Sequence, residues 1–178
     1  MAAHELTRLT KADILSLFEL LDAELAAAET LGEVYLVGGA VMCLALAARD
    51  STRDVDAVFQ PSKIVRQAAV RVAVRAGAHE NWLNDAVKGW LSPRGDFDPY
   101  LERPHLKVFV AQPAYLLAMK CVAMRLGEEF HDLDDVRYLL RYLNITAASD
   151  AMAIVLRYFD AGQIPAKTGL ALQELLGD

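Results

Sequence analysis

Cysteine is nearly absent from this chain. Among 178 residues only Cys43 and Cys121 occur, each inside an apolar, helix-compatible stretch. Two isolated thiols exclude a disulfide framework and a cysteine-built zinc site, and they suit a reducing compartment. Histidine is equally sparse, and His4, His79, His105 and His131 lack zinc-site spacing. No apolar run approaches the roughly 20 residues that span a bilayer. The opening stretch MAAHELTRLTKADILSLFELLDAELAAAE is acidic and amphipathic, without the basic and apolar regions of a signal peptide. The expectation is a cytoplasmic protein with no membrane partner. Neither a P-loop nor a G-x-S-x-G pattern is present.

What is present is apolar material. Hydrophobic residues make up 54% of the chain and charged residues 24%, enough to build one sizeable core and to exclude a disordered chain. The net charge of −6 argues against a surface that is basic all over, but the charges are segregated. Residues 1–59 hold 4 Lys and Arg against 10 Asp and Glu; residues 60–125 hold 10 against 5; residues 126–178 hold 4 against 9. The basic middle, with Arg66, Arg71, Arg75, Lys88, Arg94, Arg103 and Lys107, offers either a positive face for a polyanion such as RNA or an ordinary solvated surface.

Periodicity supplies the coarse organisation. Thr10-Lys11-Ala12-Asp13 reads as a capping box opening a helix that carries Ile14, Phe18, Leu21 and Leu25 on one stripe and stops near Leu31-Gly32. Val34–Val37 reads as a strand, broken by Gly38-Gly39. A helix follows from Ala40 to Ala48, then a polar turn over Arg49–Arg53, then a strand from Asp54 to Phe59 closed by Pro61. Ser62 is placed to cap a helix running to Ala76, with Gly77 past its end. His79–Pro104 is rich in turn signals and predicts loops around a short helix near Asn84–Trp90. His105–Val110 reads as a third strand. From Pro113 the pattern is helical: Pro113 to Leu126 with Gly127 as stop, then Asp132–Leu143, Ser149–Phe159 and Pro165–Leu176. The predicted fold class is α/β (α+β), a small mixed sheet flanked by helices with a C-terminal helical bundle. The division falls at 1–111, an α/β core with an N-terminal helix, and 112–178, a helical region.

The stretch VYLVGGAVMCLALAARDSTRDVDAVF carries the chemistry. Two glycines between a strand and a helix let backbone approach a bulky anion, because no Cβ intervenes. Asp54 and Asp56, at i and i+2 of a strand, share one face. Adjacent carboxylates repel unless a cation lies between them, and a hard divalent ion suits that position. A phosphate cradle beside a metal grip fits metal-assisted attack on a nucleoside triphosphate.

Gly38-Gly39 followed by Arg49-Asp50-Ser51-Thr52-Arg53 and Asp54-Val55-Asp56 resembles the nucleotidyltransferase (DNA polymerase β-like) superfamily, closest in pattern to minimal bacterial members such as AbiEii-type and mycobacterial toxin nucleotidyltransferases. A second block, Leu116-Leu117-Ala118-Met119-Lys120 with Arg125 and then His131-Asp132-Leu133-Asp134-Asp135, resembles the helical region of those proteins. The resemblance spans roughly residues 34–143. It implies transfer of NMP from an NTP to an acceptor, an RNA (tRNA) 3′ end foremost or a protein hydroxyl, with Mg²⁺ or Mn²⁺ as cofactor and an antitoxin as protein partner. It implies that Asp54 and Asp56 bind the metal, that Gly38 and Gly39 hold the triphosphate, and that Thr52 and Arg53 line the same pocket. It further implies that Lys120 neutralises charge on the leaving pyrophosphate and that Asp132 is an auxiliary catalytic carboxylate. Read without the resemblance, Thr52 caps a turn, Lys120 snorkels from an apolar helix and Asp132 N-caps the next one.

One departure stands out. Polymerase-like members carry a third acid on a later strand, and HLKVFV has none. Either Asp132 or Asp135 substitutes for it, or the chain is a catalytically weak member that binds nucleotide or a protein partner.

Overall fold

A computed structural model of the protein describes residues 7–124 and 132–177. Among those residues it is a mixed α/β structure with seven α-helices, a five-stranded mixed sheet, a second sheet of two short strands and a helical C-terminal region. The chain divides into two compact units, the first formed by residues 1–89 and 97–110, the second by residues 90–96 and 111–178.

In the first unit, strand β1 (Leu9–Thr10) leads into helix α1 (Lys11–Ala27). The capping box is present: Thr10 Oγ1 accepts from the Asp13 N–H at 3.2 Å, and the Asp13 carboxylate accepts from the Thr10 N–H at 2.8 Å. The helix ends four residues earlier than Leu31, and Gly32 does not stop it. Gly32 instead opens strand β2 (Gly32–Leu36), where a Cβ would lie 2.7 Å from Leu25 Cδ1. Helix α2 (Gly39–Leu44) is shorter than the predicted Ala40–Ala48. The predicted polar turn contains strand β3 (Ser51–Thr52), which pairs antiparallel with β1, Leu9 opposite Thr52 and Thr10 opposite Ser51. Strand β4 (Val55–Gln60) begins one residue after Asp54. Helix α3 (Ser62–Ala76) matches its prediction and ends on Gly77 at φ 67, in the left-handed region glycine favours. Its N-cap position is Pro61, so Ser62 is the first helical residue and not the cap.

Strand β5 (Leu83–Asn84) and a 3₁₀ turn at Ala86–Trp90 follow. Strand β6 (Phe97–Glu102), which the sequence reading assigned to loop, runs into β7 (Leu106–Ala111) through a turn closed by the Arg103 N–H donating to the Leu106 carbonyl at 2.8 Å. Pro99 is tolerated in β6 because that strand lies at the sheet edge. The strand order is β5-β4-β2-β7-β6, with β2 antiparallel to β4 and parallel to β7.

Alternation along the central strands separates two faces. Val34, Leu36, Val55, Ala57, Phe59, Leu106 and Val108 are buried. Helices α1 and α3 contribute Ile14, Phe18, Leu21, Leu25, Val65, Ala69 and Val72 to the same unit's core. Trp82 is fully buried; its ring lies 6.1 Å from that of Phe18 and its indole N–H donates to the Ala69 carbonyl at 3.0 Å. The opposite face carries half-exposed Glu33, Tyr35, Asp56, Val58, Lys107 and Phe109. Each fully buried aliphatic or aromatic side chain contributes about 1.5–3 kcal/mol relative to exposure, so this pattern pins the register that puts Asp56 on the half-exposed face.

The second unit contains α4 (Pro113–Val122), α5 (Asp132–Tyr142), α6 (Ala148–Tyr158) and α7 (Ala166–Leu176) around Leu116, Leu117, Cys121, Val136, Leu139, Val155 and Leu172. Helix α4 stops at Val122, short of the predicted Leu126; Arg125, Leu126, Gly127 and His131 lie outside the described residues. The segment 90–96 is held to this unit by Tyr115 and Tyr158. The Ser92 N–H donates to the Tyr115 hydroxyl at 3.0 Å, the Ser92 hydroxyl donates to the Tyr158 carbonyl, and the Tyr158 hydroxyl donates to Asp96 at 2.8 Å. Burial, then the Asp96 bond, pushes the Tyr158 phenol up to about 12.

Candidate functional site

Strand β2 ends at Leu36, and the Val37 N–H still donates to the Asp56 carbonyl at 3.0 Å. The antiparallel pairing of β2 with β4 therefore sets Val37 opposite Asp56 and carries the chain into Gly38 beside the Asp56 side chain. Gly38 has φ 66 and ψ −146, a conformation essentially closed to residues with a side chain. A Cβ built there would lie 3.2 Å from Asp56 Oδ2. At Gly39 a Cβ would lie 2.9 Å from Thr52 Oγ1 and 3.2 Å from Arg49 Nη1. Four chemically distinct groups thus meet at residues 38–39: bare backbone, a carboxylate, a hydroxyl and a guanidinium.

Thr52 is buried, and its hydroxyl donates to the Asp54 carbonyl at 3.1 Å. It therefore shapes the turn and also lies against the glycine backbone. Asp54 and Asp56 are each half-exposed. Asp54 sits in a bend one residue before β4, a correction to the predicted strand that starts at Asp54. Arg53 is exposed in the same bend. Arg49, a residue of the predicted polar turn, also reaches Gly39. The signal that could have found it is its place in the short link that returns the chain from Gly39 to Thr52.

Cys43 follows in α2 and is buried; burial pushes its thiol up, the Asp50 charge adds to this, and Lys11 and Arg49 pull the other way. A buried thiol held in its neutral form is not a nucleophile.

The donor set fits a hard divalent cation. Among the described residues no three or more His, Cys, Asp or Glu side chains form a ready-made cage. Asp54 and Asp56 are half-exposed oxygen donors near the glycine turn, and Mg²⁺ characteristically takes one or two carboxylates plus substrate phosphates. No carboxylate joins them from β7, whose half-exposed residues are Lys107 and Phe109. A groove of about 350 Å³ lies instead along β6 and β7, between Pro99–Glu102 and Lys107–Phe109, and contains none of these residues. The convergence at Gly38 carries more chemistry than that concavity.

Lys120 and Asp132 come together in the second unit. Lys120 Nζ lies 2.7 Å from Asp135 Oδ2 and 3.6 Å from Asp132 Oδ1. The three side chains are 14%, 4% and 9% exposed, so Lys120 does not snorkel to solvent. Asp132 is the first described residue of α5.

The basic stretch is neutralised locally. Arg66 and Lys88 pair with Asp85, Arg71 and Arg75 with Glu24, Arg94 with Asp160, Arg103 with Asp22 and Glu19, and Lys107 with Glu102. Charges segregated along the chain are interleaved by folding, which weakens the argument for an RNA-binding face. Among the described residues no helix is long and apolar enough to cross a membrane.

The chain matches no family model, no curated protein and no solved structure in these comparisons.

Proposed function

We propose that the protein is a divalent-metal-dependent nucleotidyltransferase with its substrate site at Gly38-Gly39, Asp54 and Asp56. The observation that carries the reading is the approach of the Asp56 carboxylate to the bare Gly38 backbone, with the Thr52 hydroxyl at Gly39. In this reaction an acceptor hydroxyl oxygen attacks the α-phosphorus of an NTP. A new O–P bond forms, the α–β phosphoanhydride breaks, and pyrophosphate leaves with the bond's electron pair. Asp54 and Asp56 would hold the magnesium ion, which would supply charge neutralisation for the phosphates. Gly38 and Gly39 admit the phosphates to the backbone, Thr52 keeps the Asp54 turn in place, Arg53 lines the approach, and the half-exposed carboxylates are placed to receive the acceptor's proton.

The acceptor is an RNA 3′ end, with tRNA first in line and a protein hydroxyl as the alternative. A partner antitoxin restrains the activity, in keeping with the toxin members the sequence resembles. Incubation of the full chain with each labelled NTP, Mg²⁺, total RNA and lysate protein tests this. Label transferred to RNA or protein and lost in Asp56→Asn is the expected result; no label with any of the four nucleotides overturns it.

A second reading, a nucleotide-binding member with weak or no turnover, is favoured by the absence of a carboxylate on the half-exposed face of β7. Calorimetry with Mg²⁺ and NTP decides between them: binding without pyrophosphate release supports the second, and turnover ends it.

A further inference from the structure

We propose that the groove along β6 and β7 binds a nucleobase, the flat heterocycle of a nucleoside or nucleotide. The inference goes beyond the transfer reaction and does not depend on it. The groove measures about 350 Å³, at the lower end of the range for small-molecule sites, and all its lining residues belong to the first unit. Pro99, Leu101, Val108 and Phe109 give it apolar surface. Glu102 and Lys107 give it polar groups, 3.8 Å apart on side chains that are 78% and 40% exposed. An ion pair that open to water is held weakly, so a ligand can engage its acceptor and its donor. The edge of a nucleobase carries both kinds of group. A bare phosphate would meet Glu102 and a metal cation would meet Lys107, so neither matches the groove.

The aromatic surface is set in advance. Phe109 lies opposite Tyr35 across β7 and β2, and the two rings stack with centroids 4.7 Å apart and planes 9° apart. Tyr35 is itself held: its hydroxyl donates to Glu33 Oε2 at 2.9 Å, and Gln60 Nε2 donates to the same oxygen at 2.5 Å. Phe97 meets the Tyr35 ring edge-on at 5.3 Å. The Phe109 ring is thus buttressed before a ligand arrives, which lowers the ordering cost of binding. Stacking on such a ring accepts any base, because every base has a π-face. The rival occupant is an extended peptide added to β6, which is an edge strand. Pro99 stands within that edge without an N–H, which interrupts the ladder an added strand needs.

The test is ligand-observed NMR on the full chain with adenosine, guanosine, cytidine and uridine, without Mg²⁺, with calorimetry giving affinities. Wild type is compared with Phe109→Leu and Lys107→Met, and melting curves report on folding. At least one nucleoside should bind wild type. Loss of the ring should weaken it about tenfold or more in Phe109→Leu, and Lys107→Met should weaken it about threefold to tenfold. Lys107→Met, at a more polar position, keeps the inference testable should Phe109→Leu not fold. Binding with these losses supports the inference whether or not NMP is transferred. No nucleoside binding to wild type overturns it, as does equal affinity in all folded variants. Exchange protection of β6 amides by an added extended peptide, without nucleoside binding, assigns the groove to strand addition and also overturns it. NMP transfer by a chain that fails these tests leaves the transferase reading standing.

Discussion

Two groups of acids in this molecule are built on opposite principles. At Gly38 the acids Asp54 and Asp56 are half-exposed and face backbone that has no side chains. In the second unit Asp132 and Asp135 are buried and closed around Lys120. The first arrangement keeps its carboxylates within reach of solvent. The second satisfies its charges internally, and its desolvation is offset by its own ion pairs. The contrast separates half-exposed acids beside a glycine turn from buried acids closed around a lysine, although both sets carry the same chemical groups.

The comparison can be broken most severely by Asp56→Asn. On the proposed function this substitution lowers NMP transfer by about 10³-fold or more, the scale of losing a main electrostatic element of a reaction. Its melting curve stays within about 1 kcal/mol of wild type, because the side chain is half-exposed. Asp135→Ala is expected to do the reverse. Removing the closer partner strands the Lys120 ammonium in a mostly buried position and costs about 3 kcal/mol of stability, read as a lowered denaturant midpoint. Were Asp135→Ala to leave stability unchanged while abolishing transfer, the two clusters would not differ in kind.

Gly38→Ala sharpens the contrast further. The positive φ with extended ψ costs about 1–3 kcal/mol for a residue with a Cβ, and the new methyl meets Asp56 Oδ2. Loss of stability should therefore be accompanied by loss of metal-dependent nucleotide binding, measured on the same preparation.

The smallest expected effect concerns Glu24. The Arg71 and then the Arg75 hydrogen bond hold its carboxyl below the usual glutamate range. A depressed folded-state value means stabilisation at pH above that range, lost as pH falls through the folded value. Glu24→Gln should cost about 0.5–1 kcal/mol at neutral pH, as partly exposed pairs do. It should also flatten the stability profile on the acid side, checked by chemical denaturation across that range.

Much of the first unit was legible in residue order. Thr10 and Asp13 announce the start of α1 because the reciprocal cap is a local contact. The α3 helix is bounded by Pro61 and Gly77, whose backbone restrictions act through neighbours in the chain. The separation of Gly38-Gly39 from Asp54-Val55-Asp56 indicated one site, and the antiparallel β2–β4 register brings Gly38 to Asp56. Other elements were not legible. A two-residue strand such as β1 or β3 has no periodicity to detect. Strand β6, with Asp98, Pro99 and Glu102, has loop composition and exists because β7 lies beside it. Pairing of each central arginine with a distant acid, such as Arg71 with Glu24, depends on which helices pack together.

Sequence alone determined the alternation that separates a buried face from a half-exposed one, the caps and stops of the long helices, and the glycine pair that no other residue could replace at Gly38. Those are local properties, set by neighbouring dihedral angles and by period. Tertiary structure decided that Arg49 and Thr52 meet Gly39, that Asp135 holds Lys120 more closely than Asp132 does, and that Arg71, Arg75, Arg94 and Arg103 of the basic middle are paired with acids from the chain's ends. Such outcomes belong to contacts between distant segments, which composition and period leave open and which only the packed core selects.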